Sequence, residues 1–437
     1  MSIELTSLIL FTALFLAMAF GVPFPFVTGG VAVVFTYLLW GSEALYLPAM
    51  QAFMTSTQIT LLPLPLFILM ATIMERSGVA EDLYSTLHEW FGSLRGGLAI
   101  GTVGLGTIFA AMAGGSMAGT LAMGLIALPA MRKRGYDSRL AIGAIQASGP
   151  LGVIIPPSNM MILFAWMGQM SLGQLFMAGI IPGLLMAAHY VIYILIRCHF
   201  RPDLGPPLPP EERLSWREKF IALKGIVLPF LIIAGVLGSI FFGFASPSEA
   251  GAVGVFGAIA SSIIYRKFSW KVISEAAQRT LMLTGMLLWL AIGAFSFVTL
   301  YYSLGADELI MNLISGLEIG RWGFLFIILG MLFILGCVLD PSTIIILTVP
   351  IVLPVIRQLG FDPVWFAILF VITMEISYTT PPVGRNLFTM KAIVPPDVSF
   401  ADIIRASVPF VILDTLALFW IIGFPQLALW LPRMMIR

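Results

Sequence analysis

The chain carries one short pattern twice, 225 residues apart and in the same register. In each copy a proline and an arginine precede a Gly-aromatic-Asp element, and two consecutive prolines follow. The matched residues are Pro129, Arg132, Gly135, Tyr136, Asp137, Pro156 and Pro157 in the first copy and Pro354, Arg357, Gly360, Phe361, Asp362, Pro381 and Pro382 in the second. In a chain this apolar, such a pair indicates a transporter built from two structural repeats that meet around one site.

The composition predicts a membrane protein with several spans. Of 437 residues, 59% are hydrophobic and 10% are charged, and the mean hydropathy is +1.01. No soluble core could bury that much apolar surface. A net charge of +1 argues against nucleic acid as a partner. Cys198 and Cys337 are too few and too far apart for a disulfide framework or a thiolate metal site.

Long uncharged runs predict the membrane helices, since about 20 apolar residues cross the hydrocarbon. The first run has no basic residue before it, so we interpret it as a retained helix and not as a signal peptide. The predicted spans are 5–21, 27–48, 58–74, 140–170, 175–197, 225–243, 246–265, 281–304, 363–390 and 406–430.

Two other runs, 96–131 and 322–356, are too long for one span and too short for two with a turn. Gly-rich AGGSMAG lies in the middle of the first, and Leu339-Asp340-Pro341-Ser342 lies in the middle of the second. We predict that both are re-entrant hairpins whose tips point into a site, because irregular backbone at membrane depth needs protein or water to satisfy it.

Basic residues set the predicted orientation. The Pro-rich linker 201–224 and the residues that close span 246–265 are basic, so both are expected in the cytoplasm. Counting spans from there places the bases of the two hairpins on opposite faces, so the repeats are inverted. Segments 77–95 and 305–321 are predicted as interfacial helices, with ordinary polar loops as an equal alternative.

Each hairpin is followed by a helix interrupted at a double proline, within GPLGVIIPPSN (149–159) and SYTTPPVGRN (377–386). Proline removes a backbone donor and clashes with the preceding turn, so the backbone unwinds there. The freed carbonyls can bind a hard cation such as Na⁺, and the half-helix N-termini can face an anion. A purely structural kink is the alternative for either break alone.

Charged residues within spans are candidates for function because burying them in lipid is costly. Arg385 either meets a substrate carboxylate or forms an internal salt bridge with Glu375 or Asp340. We expect Glu249 to cap a helix N-terminus and Asp414 to form an interhelical hydrogen bond. No GxxxxGK[ST] motif occurs, so transport must use an ion gradient or the energy of a partner.

The chain resembles the large membrane subunit of the tripartite ATP-independent periplasmic (TRAP) transporters. The resemblance is carried by GSMAGTLAMGLIALPAMRKRGYD, GVIIPPSN, SPSEAGAVG and LDPSTIIILTVPIVLPVIRQLGFDPVWFAILFVITMEISYTTPPVGRNLF, and it covers essentially the whole chain. It implies an all-α elevator fold of the ion-transporter superfamily and no enzymatic activity. It also implies Na⁺-coupled uptake of an organic acid across the bacterial or archaeal inner membrane. The implied partners are a periplasmic substrate-binding protein and a small four-helix membrane subunit.

The resemblance further implies a mobile transport domain and a fixed scaffold. The scaffold would comprise 1–76 and 225–304, joined to the transport domain by the arms 77–95 and 305–321 and by the linker 201–224. The transport domain would comprise two repeats, 96–200 with hairpin 96–131 and broken helix 138–170, and 322–437 with hairpin 322–356 and broken helix 362–390.

The resemblance also implies two Na⁺ sites, each between a hairpin tip and a break. The first would use Gly114, Gly115, Ser116, Gly152, Pro156 and Ser158, and the second Gly336, Leu339, Asp340, Thr379, Thr380 and Gly384. Substrate would contact Ser116, Asn159, Asp340 and Arg385.

The sequence departs from the family pattern in two places. The first tip has fewer serines than is usual, so its Na⁺ coordination would depend on carbonyls, and Arg385 replaces a usually apolar residue. A stand-alone Na⁺/dicarboxylate symporter of the same superfamily remains an alternative. An intramembrane enzyme would need a nucleophile and base or a metal site, and the sequence shows no such constellation.

Overall fold

The structure is a computed structural model that describes residues 3–76, 90–113, 116–209, 215–222, 224–306 and 319–436. Most of both predicted arms, the tip residues Gly114 and Gly115, and part of the linker lie outside these ranges.

Within the described residues, the regular elements are helices. The α-helices are α1 Ile3–Ala19, α2 Phe24–Trp40, α3 Tyr46–Ser56, α4 Pro63–Arg76, α5 Gly97–Ala113, α6 Ser116–Lys133, α7 Ser138–Ser148, α8 Leu151–Ile154, α9 Asn159–Met167, α10 Leu172–Phe200, α11 Trp216–Ala222, α12 Lys224–Phe241, α13 Pro247–Ile264, α14 Trp270–Ser303, α15 Arg321–Gly336, α16 Pro341–Gln358, α17 Pro363–Tyr378, α18 Arg385–Ile393, α19 Phe400–Gly423 and α20 Gln426–Met434.

Seven segments of the described chain are long and apolar enough to cross a membrane, and shorter apolar helices accompany them. The protein is therefore a multi-pass membrane protein. The hairpin segments fold as helix pairs, α5 with α6 and α15 with α16, that pack against each other. Their re-entry into the bilayer and their inverted orientation stay predictions.

Some helix boundaries differ from the sequence-based prediction. The span predicted over 406–430 is divided into α19, which begins at Phe400 and ends at Gly423, and α20, which begins at Gln426. The span predicted over 27–48 ends at Trp40, because Gly41 takes a positive φ of 83° and a separate helix, α3, follows. The span predicted over 281–304 begins earlier, at Trp270, after Ser269 accepts a cap hydrogen bond from the Val272 N–H at 3.2 Å. Its first turns carry Lys271, Glu275 and Arg279, so they fell outside a span defined by an uncharged run.

The Gly-aromatic-Asp element of each repeat is a helix stop followed by a helix start. Gly135 and Gly360 both have φ of +75°, a left-handed conformation that glycine adopts without a steric penalty. The N–H of the following aromatic residue then donates to a carbonyl five residues back, at 3.1 Å in both repeats. This is the Schellman arrangement.

The aspartates of the two elements cap the next helix. The Asp137 carboxylate accepts from the Leu140 N–H at 2.9 Å, and the Asp362 carboxylate accepts from the Val364 N–H at 2.8 Å. These side chains therefore have the N-cap function, and part of the internal repeat encodes this shared connector.

The two repeats interlock. Helix α18, which follows the second break, packs on α6 of the first hairpin, and α9, which follows the first break, packs on α16 of the second. The repeated arginines hold these crossed contacts. Arg357 donates to the Gly168 carbonyl just after α9 at 3.2 Å, and Arg132 donates to Asp397, beyond α18, at 2.7 Å. This hydrogen bond holds the pKa of Asp397 below its usual value.

One hairpin helix approaches its broken helix so closely that only glycine fits. A Cβ added at Gly336 would overlap the Ser377 hydroxyl and lie 2.8 Å from the Ser377 Cβ, whereas one added at Gly330 of the same helix meets nothing within 4 Å. The second hairpin is therefore positioned by direct contact at Gly336.

We expect Gly336→Ala to lower the free energy of unfolding by about 1–3 kcal/mol, because overpacked sites must shift backbone or rotamers. Gly330→Ala is the matched control, and the helix propensity of alanine should leave stability unchanged or raise it by up to about 1 kcal/mol. Thermal unfolding of both purified variants measures the difference. Equal stability of the two would show that the contact is not tight.

Candidate functional site

Both interrupted helices break where the double prolines occur. In the first repeat α7 ends at Ser148, the short α8 follows, and α9 starts at Asn159. In the second repeat α17 ends at Tyr378, and α18 starts at Arg385. The Pro156–Pro157 and Pro381–Pro382 bonds are both cis. The predicted interruptions are therefore present, with the same peptide geometry in both repeats.

A cavity of about 540 Å³ lies where these elements meet. Its walls come from the first hairpin tip, both breaks, the start of α16 after the second tip, and helices α4 and α14. The described lining residues include Ser116, Met117, Asn159, Pro341, Ser342, Tyr378 and Thr389 from the repeats, and Glu75 and Arg279 from α4 and α14. The repeats thus converge on one space that is large enough for a small organic molecule.

The structure brings Ser116 of the predicted first Na⁺ site next to the first break. The Ser116 carbonyl would lie 2.9 Å from a Cβ placed on Gly149, so the tip touches the break at Gly149, three residues before the predicted Gly152. Gly152 and Pro156 are buried. The Ser158 hydroxyl caps α9 and donates to the Val153 carbonyl, so both of its hydrogen bonds lie within the first broken helix.

Two buried oxygens near Ser116 have no hydrogen-bond partner among the described residues: Thr120 Oγ1 and Asn386 Oδ1. Asn386 Nδ2 donates to Ser116 Oγ at 2.7 Å, and Thr120 lies one helical turn after Ser116. Orphaned buried oxygens are costly. Neutral oxygen donors suit a hard cation, so this cluster has the donor chemistry that Na⁺ requires.

The second predicted Na⁺ site has fewer free donors. Thr379 and Thr380 donate their hydroxyl protons to carbonyls one turn back, at 3.2 Å and 2.6 Å. Each hydroxyl oxygen could therefore bind a cation only through its lone pairs. Gly384 takes φ of +48° at the N-cap of α18, while Gly336 lies against Ser377 of α17. Leu339 is partly buried against the core.

Arg385 forms an ion pair with Asp340, which links α18 to the second hairpin tip. The two side chains are 31% and 35% exposed. The sequence left three partners open for Arg385: a substrate, Glu375 and Asp340. The structure identifies Asp340 as the internal partner. Because guanidinium has five donors, this pair leaves others available for a substrate.

The three other charged candidates are placed as follows. Glu249 forms a capping box with Ser246, in which Ser246 N–H donates to its carboxylate at 2.7 Å. Asp414 accepts from the Tyr190 hydroxyl across two helices. The predicted helix-cap and interhelical roles are confirmed. Glu375 is fully buried, and neither carboxylate oxygen has a hydrogen-bond partner among the described residues.

The sequence reasoning missed several residues of this region. Asn386, Thr120 and Tyr378 were not candidates, and neither were Glu75 and Arg279. A signal for Asn386 was present: both double prolines are followed by an asparagine, Asn159 and Asn386, but two extra residues in the second repeat conceal the match. For Glu75 and Arg279 the sequence showed only charges near predicted span ends.

A family model described as "Tripartite ATP-independent periplasmic transporter, DctM component" matches residues 11–427 of the chain. The match includes both hairpins and both breaks.

Curated relatives align over most of their length. The chain is 33% identical over 405 residues to the C4-dicarboxylate TRAP transporter large permease protein DctM of Pseudomonas aeruginosa, covering 92% of this chain and 93% of the relative. It is 32% identical over 383 residues to the ectoine TRAP transporter large permease protein TeaC of Halomonas elongata, covering 86% and 87%.

The fold also resembles a solved structure, that of Neisseria gonorrhoeae MtrF, which belongs to a class of antimetabolite efflux pumps. The TM-score is 0.64 at 16% identity, covering 90% of this chain and 85% of that one. At this identity the likeness concerns the fold alone.

Proposed function

Because the chain belongs to the DctM family of TRAP transporter large permeases, we propose that it carries out Na⁺-coupled uptake of an organic acid by an elevator-type mechanism. The observation that carries this proposal is the cavity between the two repeats. Ser116 and Asn159 of the first repeat line it, as do Ser342 and Tyr378 of the second. A central site shared by two repeats is the arrangement that alternating access requires.

The proposed Na⁺ coupling is supported by the orphaned oxygens of Thr120 and Asn386. Together with the Ser116 carbonyl they would hold Na⁺ at the first tip. When bound, Na⁺ supplies charge that balances a substrate carboxylate. A second ion would bind among Leu339, Thr379 and Thr380 at the other tip, through lone pairs and carbonyls.

The proposed substrate class follows from charge and from the relatives. The two named relatives carry C4-dicarboxylates and ectoine, and both substrates contain carboxylate. In this chain Arg385 is the first residue of α18, the helix whose Thr389 lines the cavity, and its pair with Asp340 leaves guanidinium donors free for a substrate. We propose that the substrate reaches the cavity from a periplasmic binding protein and that a small four-helix subunit completes the transporter in the inner membrane.

The test is uptake of radiolabelled succinate or ectoine into proteoliposomes that contain this chain, the small subunit and a cognate binding protein. We expect uptake with an inward Na⁺ gradient and only background uptake when choline replaces Na⁺. Equal uptake on a proton gradient without Na⁺ would contradict the coupling.

Omission of the binding protein separates this proposal from a stand-alone symporter. Uptake should then fall to background, because the proposed transporter receives its substrate from the binding protein. Undiminished uptake would favour the Na⁺/dicarboxylate symporter.

A further inference from the structure

Two charged side chains face the central cavity from outside the repeats. Of the described residues that line it, Glu75 at the end of α4 and Arg279 in α14 are the charged ones. Glu75 Oε1 and Arg279 Nη1 lie 3.7 Å apart. This is an ion-pair distance but is longer than a hydrogen bond.

A second ion pair joins the same two helices one turn away. Arg76 of α4 pairs with Glu275 of α14, and Lys271 lies 4.0 Å from the same carboxylate. Neither Arg76 nor Glu275 lines the cavity. This neighbouring pair already joins α4 to α14. Joining the two helices therefore does not explain why Arg279 lies at the cavity.

Arg279 is available to an anion. Its side chain is 42% exposed, and among the described residues Glu75 is its ion-pair partner. A guanidinium stays charged at any physiological pH and presents a planar fork that matches a carboxylate. In a cavity with mostly apolar walls, including Leu121, Leu283 and Met286, such a charge attracts an organic anion strongly.

We propose that Arg279 binds the substrate carboxylate from the α4–α14 side of the cavity and that Glu75 is the counter-ion displaced when substrate arrives. The inference rests on the proposed function and adds a second cationic contact, across the cavity from the repeats. Arg279 lies about two helical turns after Lys271 of α14, which belongs to the basic region expected in the cytoplasm. It therefore contacts substrate on the cytoplasmic side, where the substrate is released.

The test is exchange in proteoliposomes that contain the complete transporter and internal unlabelled succinate or ectoine over a range of concentrations. We expect Arg279→Gln to raise the internal concentration for half-maximal exchange about tenfold or more, the effect of losing a hydrogen bond to a charged group. For Arg279→Lys this concentration should lie between those of the wild type and Arg279→Gln, because an ammonium keeps the charge but cannot form the bidentate contact of a guanidinium. Glu75→Gln should lower that concentration by up to about fivefold, because it removes an exposed competing charge.

Arg76→Gln and Glu275→Gln are the matched controls, because they break the neighbouring bridge between the same helices. Both should leave the half-maximal concentration within about twofold of wild type, as expected for an exposed ion pair. The thermal midpoint of each variant, measured alongside, shows whether it is folded.

Wild-type half-saturation in a folded Arg279→Gln or Arg279→Lys protein would overturn this inference and leave the proposed function intact. An equal change in Arg76→Gln would also overturn it, since helix bridging would then explain both. If the wild type exchanges neither probe, the proposed substrate class is wrong and this inference falls with it.

Discussion

Replacing Arg385 by alanine is expected to reduce substrate uptake about tenfold or more while the protein stays folded. A charge-assisted hydrogen bond to a carboxylate contributes about 1.5–3 kcal/mol, and lysine cannot reproduce a bidentate contact. Removing the partner of a buried ion would cost about 3–5 kcal/mol. Here the Arg385 and Asp340 side chains are 31% and 35% exposed, so water screens the charge left behind and the loss should stay near 1 kcal/mol.

The measurement pairs initial uptake rates with thermal unfolding midpoints for Arg385→Ala, Arg385→Lys and Asp340→Asn. Asp340→Asn keeps the arginine charge, so it should retain more transport than Arg385→Ala. Equal losses in these two variants would mean that transport needs Asp340 as much as Arg385, through the ion pair that holds the hairpin tip or through Asp340 as an ion ligand, and would argue against a separate substrate contact of Arg385. Normal uptake by a stable Arg385→Ala protein would exclude both roles.

Thr120→Val should raise the Na⁺ concentration for half-maximal uptake about tenfold or more. Valine matches threonine in shape but lacks the hydroxyl oxygen, which is buried and has no hydrogen-bond partner in the described parts of the chain. Without Na⁺, removing this oxygen should leave stability unchanged or raise it, whether or not the oxygen is an ion ligand; if the oxygen is a ligand, the stabilisation that Na⁺ gives the wild type should also be reduced in the variant. The sodium dependence of uptake and the thermal midpoint with and without Na⁺ distinguish the two cases.

Thr102→Val is the control for this substitution. Thr102 is buried in the other arm of the same hairpin, and its hydroxyl donates to the Leu98 carbonyl at 2.8 Å. It should lose a little stability and no Na⁺ affinity. Wild-type sodium dependence in Thr120→Val would argue against an ion site at the first tip.

The helix breaks were predicted from the sequence because they depend on local chemistry, and the connectors depend on the same kind of chemistry although their motif was recognised only as a repeat. Proline cannot continue a helix, and the Gly-aromatic-Asp element encodes a stop and a start within a few residues. The Glu249 cap was predictable for the same reason. Each of these features is decided by residues that are neighbours in the chain.

Features that depend on distant residues were not predictable. Glu275 and Arg279 of α14 pair with Arg76 and Glu75 of α4, about 200 residues earlier, and no local pattern shows this pairing. The contact of Asn386 with Ser116 likewise joins residues 270 positions apart. In the sequence the arginines Arg132 and Arg357 only marked the repeat, whereas in the structure each also bonds to the opposite repeat.

The crossed packing of the repeats has a consequence for biosynthesis. The Gly168 carbonyl that follows α9 is bound by Arg357, which leaves the ribosome 189 residues later, and α6 is covered by α18 only when nearly the whole chain has been made. The first repeat therefore enters the membrane with the faces of α6 and α9 still lacking their partners. It has to remain in that incomplete state until the second repeat is inserted, so neither half is expected to mature when synthesised without the other.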